Sequence, residues 1–438
     1  MYSQRPKVLH EIGGKAMLAH VIDTAQSLNP AQVCVVIGHG KEQVLAQVAR
    51  DDVVWVEQTE QLGTGHALKM ALPHLPAHGR TLVLYGDVPL TDAATLQQLL
   101  DAAADEVGLL TDVLDNPTGY GRIIRQDGRV VAIVEEKDAD AAQKTVREIN
   151  TGMLVLPNRC LSGWLEQLSS NNAQGEYYLT DLIALANTDN VAVHPVQVAR
   201  SYLAAGVNNK QQLAELETVY QQQRAHSLLS AGVTLLHPAS LSVRGQVEHG
   251  QDVLIDMGVV LEGRVVLGDG VRIGAHCVIH NAVIGAGTDI APFSHLQDCS
   301  IGANAKIGPY ARLRPQAQLG DEVHIGNFVE VKNTVMGRGS KANHLTYLGD
   351  ADIGSGSNIG AGTITANYDG VNKYRTVIGD EVRIGSNTVL VAPVVVGNRA
   401  TTGAGSTITK NCPENQLTLS RSRQTSLAGW VRPEKPKK

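Results

Sequence analysis

IDMGVVLEGRVVLGDGVRIGAHCVIHNAVIGAGTDI, residues 255–290, decides the fold of half of this chain. Aliphatic residues recur at every sixth position: Ile255, Leu261, Leu267, Ile273 and Ile279. The register slips by one at Ile284 and continues through Ile290 and Leu296. A second slip reaches Ile301, followed by Ile307, Leu313, Leu319, Ile325 and Val331. The pattern returns at Ile353 and Ile359, then at Ile378, Ile384, Leu390, Val396 and Ile408. Neither a helix period of 3.6 nor a strand period of 2 produces a sixfold rule. A hexapeptide period means one short strand and one turn per unit, with three units closing a triangular coil. The recurring aliphatic points inward and stacks on its counterpart one coil above. The glycine that follows many of them, as in Ile284-Gly285, Ile307-Gly308 and Ile384-Gly385, permits a tight corner.

The repeat is interrupted once. Thirteen positions separate Thr365 from Ile378 where six are expected, so seven residues within ANYDGVNKYRT (366–376) leave the coil as a loop. Their Asn and Tyr lie close to other polar candidates, which marks the loop as functional rather than as a tolerated insertion.

Composition agrees with this grammar. Of 438 residues, 44 are glycine and two are phenylalanine, and aromatics total 4%, as a repetitive aliphatic column requires. Hydrophobic residues at 43% and charged ones at 18% allow a large core and exclude global disorder. A net charge of −6 gives no nucleic-acid partner. Five scattered cysteines (Cys34, Cys160, Cys277, Cys299, Cys412) form no CxxC pair, so neither a disulfide framework nor a zinc site is expected. The start MYSQRPKVLH has no apolar signal core, and no run of 18 uncharged apolar residues exists. The expectation is a cytoplasmic protein without a membrane partner.

Residues 1 to about 200 read as α/β. The runs VCVVIG (33–38), TLVLYGD (81–87) and VGLLTDVL (107–114) look like buried strands, and LGTGHALKMALPHL (62–75) and DAATLQQLLDAAA (92–104) like helices. Their alternation predicts a mostly parallel sheet covered on both faces, with ligands at the carboxyl ends of strands. The stretch NKQQLAELETVYQQQRAHSLLSA (209–231) predicts one long amphipathic linker helix. Three parts follow: an α/β domain over 1–208, a linker over 209–231 and a coiled β domain over 232–438.

The hexapeptide repeats, with KANHLTYLGD (341–350), GAGTITANYDG (360–370), YGDVPL and EQLGTGHA, resemble one family over essentially the whole chain. It is the bacterial bifunctional N-acetylglucosamine-1-phosphate uridyltransferase and glucosamine-1-phosphate acetyltransferase family. The resemblance implies a Rossmann-like nucleotidyltransferase domain followed by a left-handed parallel β-helix. It implies acetyl transfer from acetyl-CoA to glucosamine-1-phosphate, then uridylyl transfer from UTP to the acetylated product with release of pyrophosphate. It also implies a homotrimer whose acetyl site is shared between neighbours.

Acetyl transfer to an amine needs a base for the amine proton, and an imidazole titrates in the useful range. By resemblance that base is His344. The acceptor's phosphate falls to Arg314 and Lys332, with Tyr347 and Asn358 as further sugar-phosphate contacts. Asn367 and Tyr368 of the loop position substrate and donor, and Asn367 is expected to help orient the histidine. Ala361, Ser386, Ala404 and Arg421 match acetyl-CoA contacts, and the terminal RPEKPKK (432–438) could meet the cofactor's phosphates.

In the first half, Asp87 follows the strand TLVLYGD and suits Mg²⁺, which prefers oxygen ligands. By resemblance Asn208 is the second metal ligand and Lys7 neutralises phosphate. Gln58, Gly63 and Thr64 match the uracil pocket, Tyr85 and Gly86 lead into Asp87, and Gly121, Glu135 and Asn150 match sugar contacts. One departure stands out. The family opens with LAAGxGTRM, and here Met1-Tyr2-Ser3 stands where that motif ends. The expectation is a chain that starts late, with uridylyl transfer impaired and acetyl transfer retained. Two rivals follow from the same residues: an acetyltransferase alone, or a non-catalytic assembly subunit. A metalloenzyme using His276, His280, His295 and His324 is a third, although their scatter matches no ligand triad.

Overall fold

A computed structural model describes residues 1–435. The chain forms two compact units, Met1–Tyr220 and Gln221–Lys438. The helix Lys210–Ser230 contributes its first half to one and its second half to the other.

In the first unit the strands Val33–Ile37 and Val53–Glu57 pair in parallel. A second sheet orders Val193–Gln197, Val107–Val113, Glu148–Pro157, Arg122–Gln126 and Arg129–Val134 side by side, with Arg80–Val83 also on Glu148–Pro157. Val193–Gln197 runs parallel to Val107–Val113. The strand Glu148–Pro157, buried from Ile149 onward, runs antiparallel to Arg80–Val83 and to Val107–Val113. The expected mostly parallel sheet is therefore mixed in this half. A parallel return needs a crossover connection, usually a helix. The chain between residues 113 and 148 supplies instead the hairpin Arg122–Gln126/Arg129–Val134. Helices cover the sheet. Ala93–Ala103 is capped by Asp92, whose carboxylate accepts from Thr95 N at 2.7 Å. Asn158–Gln167 buries Trp164 and Leu165 against Leu109, Leu154 and Leu156.

In the second unit every aliphatic of the sixfold series is at most 5% exposed. Strands stack in parallel at one-coil intervals: Ile255 opposes Ile273, then Ile290, Ile307 and Ile325 follow in register, seventeen or eighteen positions apart. Each fully buried Ile or Leu contributes about 1.5–3 kcal/mol, so the column is the main source of stability. Met336, Ala342 and Leu348 fill the gap that the sequence pattern leaves between Val331 and Ile353.

Two corners carry the polar and aromatic features. One puts His276, Phe293, Tyr310, Phe328 and Leu345 at φ between 50° and 62°. Such angles cost bulky residues energy. Here the rings stack at centroid distances of 5.2, 5.0 and 5.3 Å up the coils, which offsets that cost. The other corner stacks Asn333, Asp350 and Asn367 one coil apart, the first two at positive φ. Residues 366–376 leave the coil as expected. The loop closes on itself through a Tyr368–Lys373 bridge and a Tyr374 N to Asn367 O hydrogen bond of 2.8 Å. Stacking then resumes at Asp352–Val377 and Ile353–Ile378.

Among the described residues no helix is long and apolar enough to cross a membrane.

Candidate functional sites

In the first unit the strand predicted over 81–87 ends at Val83, so Tyr85, Gly86 and Asp87 lie in the loop beyond its carboxyl end. Asp87 accepts an ion pair from Lys7 Nζ at 2.5 Å, and the same ammonium donates to Asn208 Oδ1 at 3.0 Å. The Val207 amide donates to Asp87 O at 3.0 Å and locks the two segments together. Two oxygens from remote segments thus converge on one cation. That is the donor set a hard divalent ion takes, with the remaining positions left for phosphate and water.

Tyr85 links this corner to the rest. Its hydroxyl bonds Thr64, burial pushes its pKa up to about 12, and Glu135 and Asp87 add to the shift. Gly152 must be glycine, because at φ 88° a Cβ would strike the Tyr85 ring. Gln58 Nε2 donates to Gly63 O at 3.1 Å and meets His66 Nδ1 at 3.0 Å. Gly63 has φ 104°, and a Cβ there would meet Tyr177 O at 2.7 Å. Gly121 O accepts from Asn150 N at 2.9 Å, and Glu135 carboxylate oxygens lie 3.4 Å from the position of a Gly121 Cβ. Burial raises the Glu135 pKa, opposed by the Thr180 hydroxyl and supported by Asp138 and Asp181. Thr64, Glu135 and Gly152 thus meet Tyr85, Gln58 is tied to Gly63, Asn150 to Gly121, and Lys7 joins Asp87 to Asn208.

In the second unit one edge carries a continuous column. Gly362 N donates to His344 O (3.2 Å), Asn387 N to Ala361 O (2.7 Å), Gly405 N to Ser386 O (2.8 Å) and Arg421 Nη1 to Ala404 O (2.9 Å). His344, Ala361, Ser386, Ala404 and Arg421 therefore climb one edge, a coil at a time. His344 ends the strand Lys341–His344 with its side chain exposed.

A second group lies a strand further round the coil. Leu313 pairs with Val331, and Lys332 with Gly349, so Arg314 and Lys332 are neighbours. Arg314 donates to Glu330 at 2.7 Å. Any Cβ at Gly349 would collide with Tyr347, whose ring therefore lies over this glycine beside Lys332. The Lys332 pKa is pushed down by the Lys373 amine close beside it, by burial and by the charges of Lys373 and Arg314, and Asp350 opposes the shift. Three cations converging in this way form a site for an anion. Lys373 was not among the sequence candidates. The only signal for it was a basic residue inside the ejected loop.

Asn367 stands at the base of the loop, one coil above Asp350. Its amide donates to the buried Asp350, which also accepts from Asn333 at 2.5 Å. This bond ties the base of the loop to the coil through the Asn333–Asp350–Asn367 stack. Tyr368 is 60% exposed and donates its hydroxyl to Gly370 O at 2.6 Å. Asn358 stands on the flat shared with Lys341 and Arg383, apart from Arg314 and Lys332. Of the terminal basic run, residues 436–438 lie outside the described residues. His276 is engaged by Phe293, and among the described residues no group of three or more His, Cys, Asp or Glu could hold a metal ion.

Residues 1–235 match the MobA-like NTP transferase domain, and residues 243–324 and 296–408 match the GMPPB C-terminal domain. The whole chain is 68% identical to the bifunctional protein GlmU of Neisseria meningitidis serogroup B strain MC58, covering 96% of that protein. It is 60% identical over 99% of its length to the bifunctional GlmU of Chromobacterium violaceum, again covering 96%. It is 56% identical to that of Janthinobacterium sp. strain Marseille, with 100% and 97% coverage.

Proposed function

The chain belongs to the family of bifunctional GlmU proteins, and from that premise we propose the role of each site described above. The enzyme is a transferase with two activities, glucosamine-1-phosphate N-acetyltransferase and N-acetylglucosamine-1-phosphate uridyltransferase. The second unit is a left-handed parallel β-helix that carries the first reaction. The observation that supports this assignment is the single edge on which His344 stands in line with Ala361, Ser386, Ala404 and Arg421.

Along that edge acetyl-CoA lies extended, its thioester beside His344. The amine nitrogen of glucosamine-1-phosphate attacks the thioester carbonyl, His344 accepts the amine proton, and coenzyme A leaves as the thiol. Without a base the attacking amine becomes an ammonium and the tetrahedral adduct reverts. Arg314, Lys332 and Lys373 hold the acceptor's phosphate, which screens the mutual repulsion of the two lysines. Tyr347 and Asn358 contact the sugar. Tyr368, in the bridge that closes the loop, meets the donor. His344 and the phosphate-binding cations occupy different parts of the coil. A homotrimer in which a neighbour completes each site accounts for that separation.

In the first unit a phosphate oxygen of N-acetylglucosamine-1-phosphate attacks the α-phosphorus of UTP, and the bond to the β-phosphate breaks to release pyrophosphate. Asp87 and Asn208 would hold Mg²⁺, which supplies charge neutralisation among the phosphates when bound. Lys7 then turns from these oxygens to phosphate. Gln58, Gly63 and Thr64 read the uracil edge, and Tyr85 fixes the floor between base and sugar. Gly121, Glu135 and Asn150 contact the acetylated sugar. The free state of all five cysteines supports work in the cytoplasm.

The test is His344→Ala, assayed for both reactions. Acetyl transfer should fall by about two orders of magnitude or more, within the range of a lost general base. Uridylyl transfer should keep its rate. An unchanged acetyl-transfer rate would remove His344 from the mechanism.

A further inference from the structure

His10 is an imidazole that no step above uses. It is 6% exposed, and its Nε2 finds no hydrogen-bond partner among the described residues. A buried N–H left without an acceptor costs about 1–3 kcal/mol, so its retention calls for a reason. The reason lies at the other ring nitrogen. Lys210 Nζ lies 3.0 Å from His10 Nδ1. An ammonium only donates, so Nδ1 is an acceptor and the proton of the neutral ring sits on Nε2.

The two partners belong to the two segments that meet at the nucleotidyl site. His10 N donates to Lys7 O at 3.2 Å and closes the turn Lys7–Leu9. Lys210 opens the helix Lys210–Ser230, two residues after Asn208. That helix start is itself held: Asn208 N donates to Gln212 Oε1 at 2.7 Å, and Gln212 N to Asn209 Oδ1 at 2.8 Å. Lys7 then reaches Asn208 Oδ1 at 3.0 Å. The result is a closed ring, from Lys7 along the chain to His10, across to Lys210, back to Asn208 and across to Lys7. Rings of this kind fix relative position, because each link is restrained from both sides.

We propose that His10 is a positioning residue, fixing the Lys7 turn to the helix start that carries Asn208 through the bond between its Nδ1 and Lys210. The inference rests on the reading of Lys7, Asp87 and Asn208 as the nucleotidyl site. It adds a residue that touches neither substrate nor metal and acts on the spacing of two that do. Misplacing such groups by about 1 Å costs up to a hundredfold in rate.

The first measurement is independent of activity. In the full chain labelled with ¹⁵N-histidine, long-range ¹⁵N–¹H spectra report the tautomer of His10, assigned by its loss in His10→Asn. The Nε2-protonated form is expected in the wild type, and Lys210→Met should abolish that preference. An Nδ1-protonated ring, or one indifferent to Lys210→Met, overturns the proposal.

The second measurement is uridylyl transfer. Asn places Oδ1 where His carries Nδ1, whereas Gln places its oxygen at the Nε2 position. His10→Asn should therefore stay within about fivefold of the wild-type kcat, while His10→Gln falls about tenfold to a hundredfold with little change in KM. Acetyl transfer serves as the internal control and should be unchanged in both. Equal losses in the Asn and Gln variants would refute the clamp. A wild-type chain that binds no UTP would instead refute the site reading and leave the tautomer result standing on its own.

Discussion

Replacing Asp350 by alanine removes one buried carboxylate that holds two amides, and its cost can be worked from the geometry. Asp350 is 6% exposed and accepts from Asn333 Nδ2 at 2.5 Å and from Asn367 Nδ2. Hydrogen bonds to a charged acceptor contribute about 1.5–3 kcal/mol each, so two give about 3–6 kcal/mol. Alanine at φ 51° adds about 1 kcal/mol of backbone strain. Relief from burying a charge subtracts a part of this. The net expectation is a loss of about 4 kcal/mol for Asp350→Ala. Asp350→Asn keeps one acceptor and tolerates the left-handed backbone, but turns an amide against an amide, so about 2 kcal/mol is expected. Urea titration of the full chain reads this out. Loss of acetyl transfer reports the second unit, while fluorescence of Trp164, 1% exposed in the first unit, should keep its midpoint. A loss under about 1 kcal/mol for alanine, or equal losses for alanine and asparagine, would refute the view that Asp350 anchors the loop.

Two further outcomes follow from the same geometry. Glu135 has its pKa raised by burial, so the unfolded chain ionises first, and stability falls as pH rises from 4.5 through the folded value. Glu135→Gln should therefore raise the unfolding temperature of the first unit at pH 7, with little difference at pH 4, while weakening sugar binding in a UTP-saturated assay. A variant no more stable at pH 7 than the wild type would count against the assignment of burial as the cause. Tyr310 stacks on both Phe293 and Phe328 at φ 56°. Tyr310→Ala should cost about 1–3 kcal/mol for two ring pairs, and Tyr310→Gly should recover about 1 kcal/mol by releasing the backbone. A glycine variant less stable than the alanine one would show that the corner is not strained.

The coil was legible because its signal is local and repeats: every aliphatic of the sixfold series is buried, and the ejected loop falls where the count fails. Met336, Ala342 and Leu348 escaped because the register slips to five residues at Val331–Met336 and again at Leu348–Ile353, and Ala342 between them is small. The mixed sheet was less legible. Buried runs such as 107–114 and 148–157 look the same in either direction, and strand direction depends on what the intervening chain folds into. Site residues divide in the same way. Asp87, at the end of an apolar run, was readable from its place, whereas Lys7 and Asn208 meet it only through tertiary packing. The Lys332–Lys373 contact joins a coil to a loop whose path no periodicity sets. Asn367 was found, but its partner was not, since the Asn333–Asp350–Asn367 stack appears only once the coils are aligned.

The edge carrying His344, Ala361, Ser386, Ala404 and Arg421 is a ruler. Its marks fall at sequence intervals of 17, 25, 18 and 17; backbone hydrogen bonds join successive coils from His344 to Gly405, with the loop absorbing the excess of the second interval, and the Arg421 guanidinium reaches back to Ala404 O. At about 4.8 Å per strand step, three steps span roughly 14 Å from the base to Ala404, where the arginine's guanidinium docks. The length of donor that this edge accepts is thus written as a number of turns, not as the outline of a cavity. Removing one whole turn between Ala361 and Ala404 would leave the interior column continuous while shortening the gauge by a single division, so the molecule would stay folded and measure its ligand wrongly.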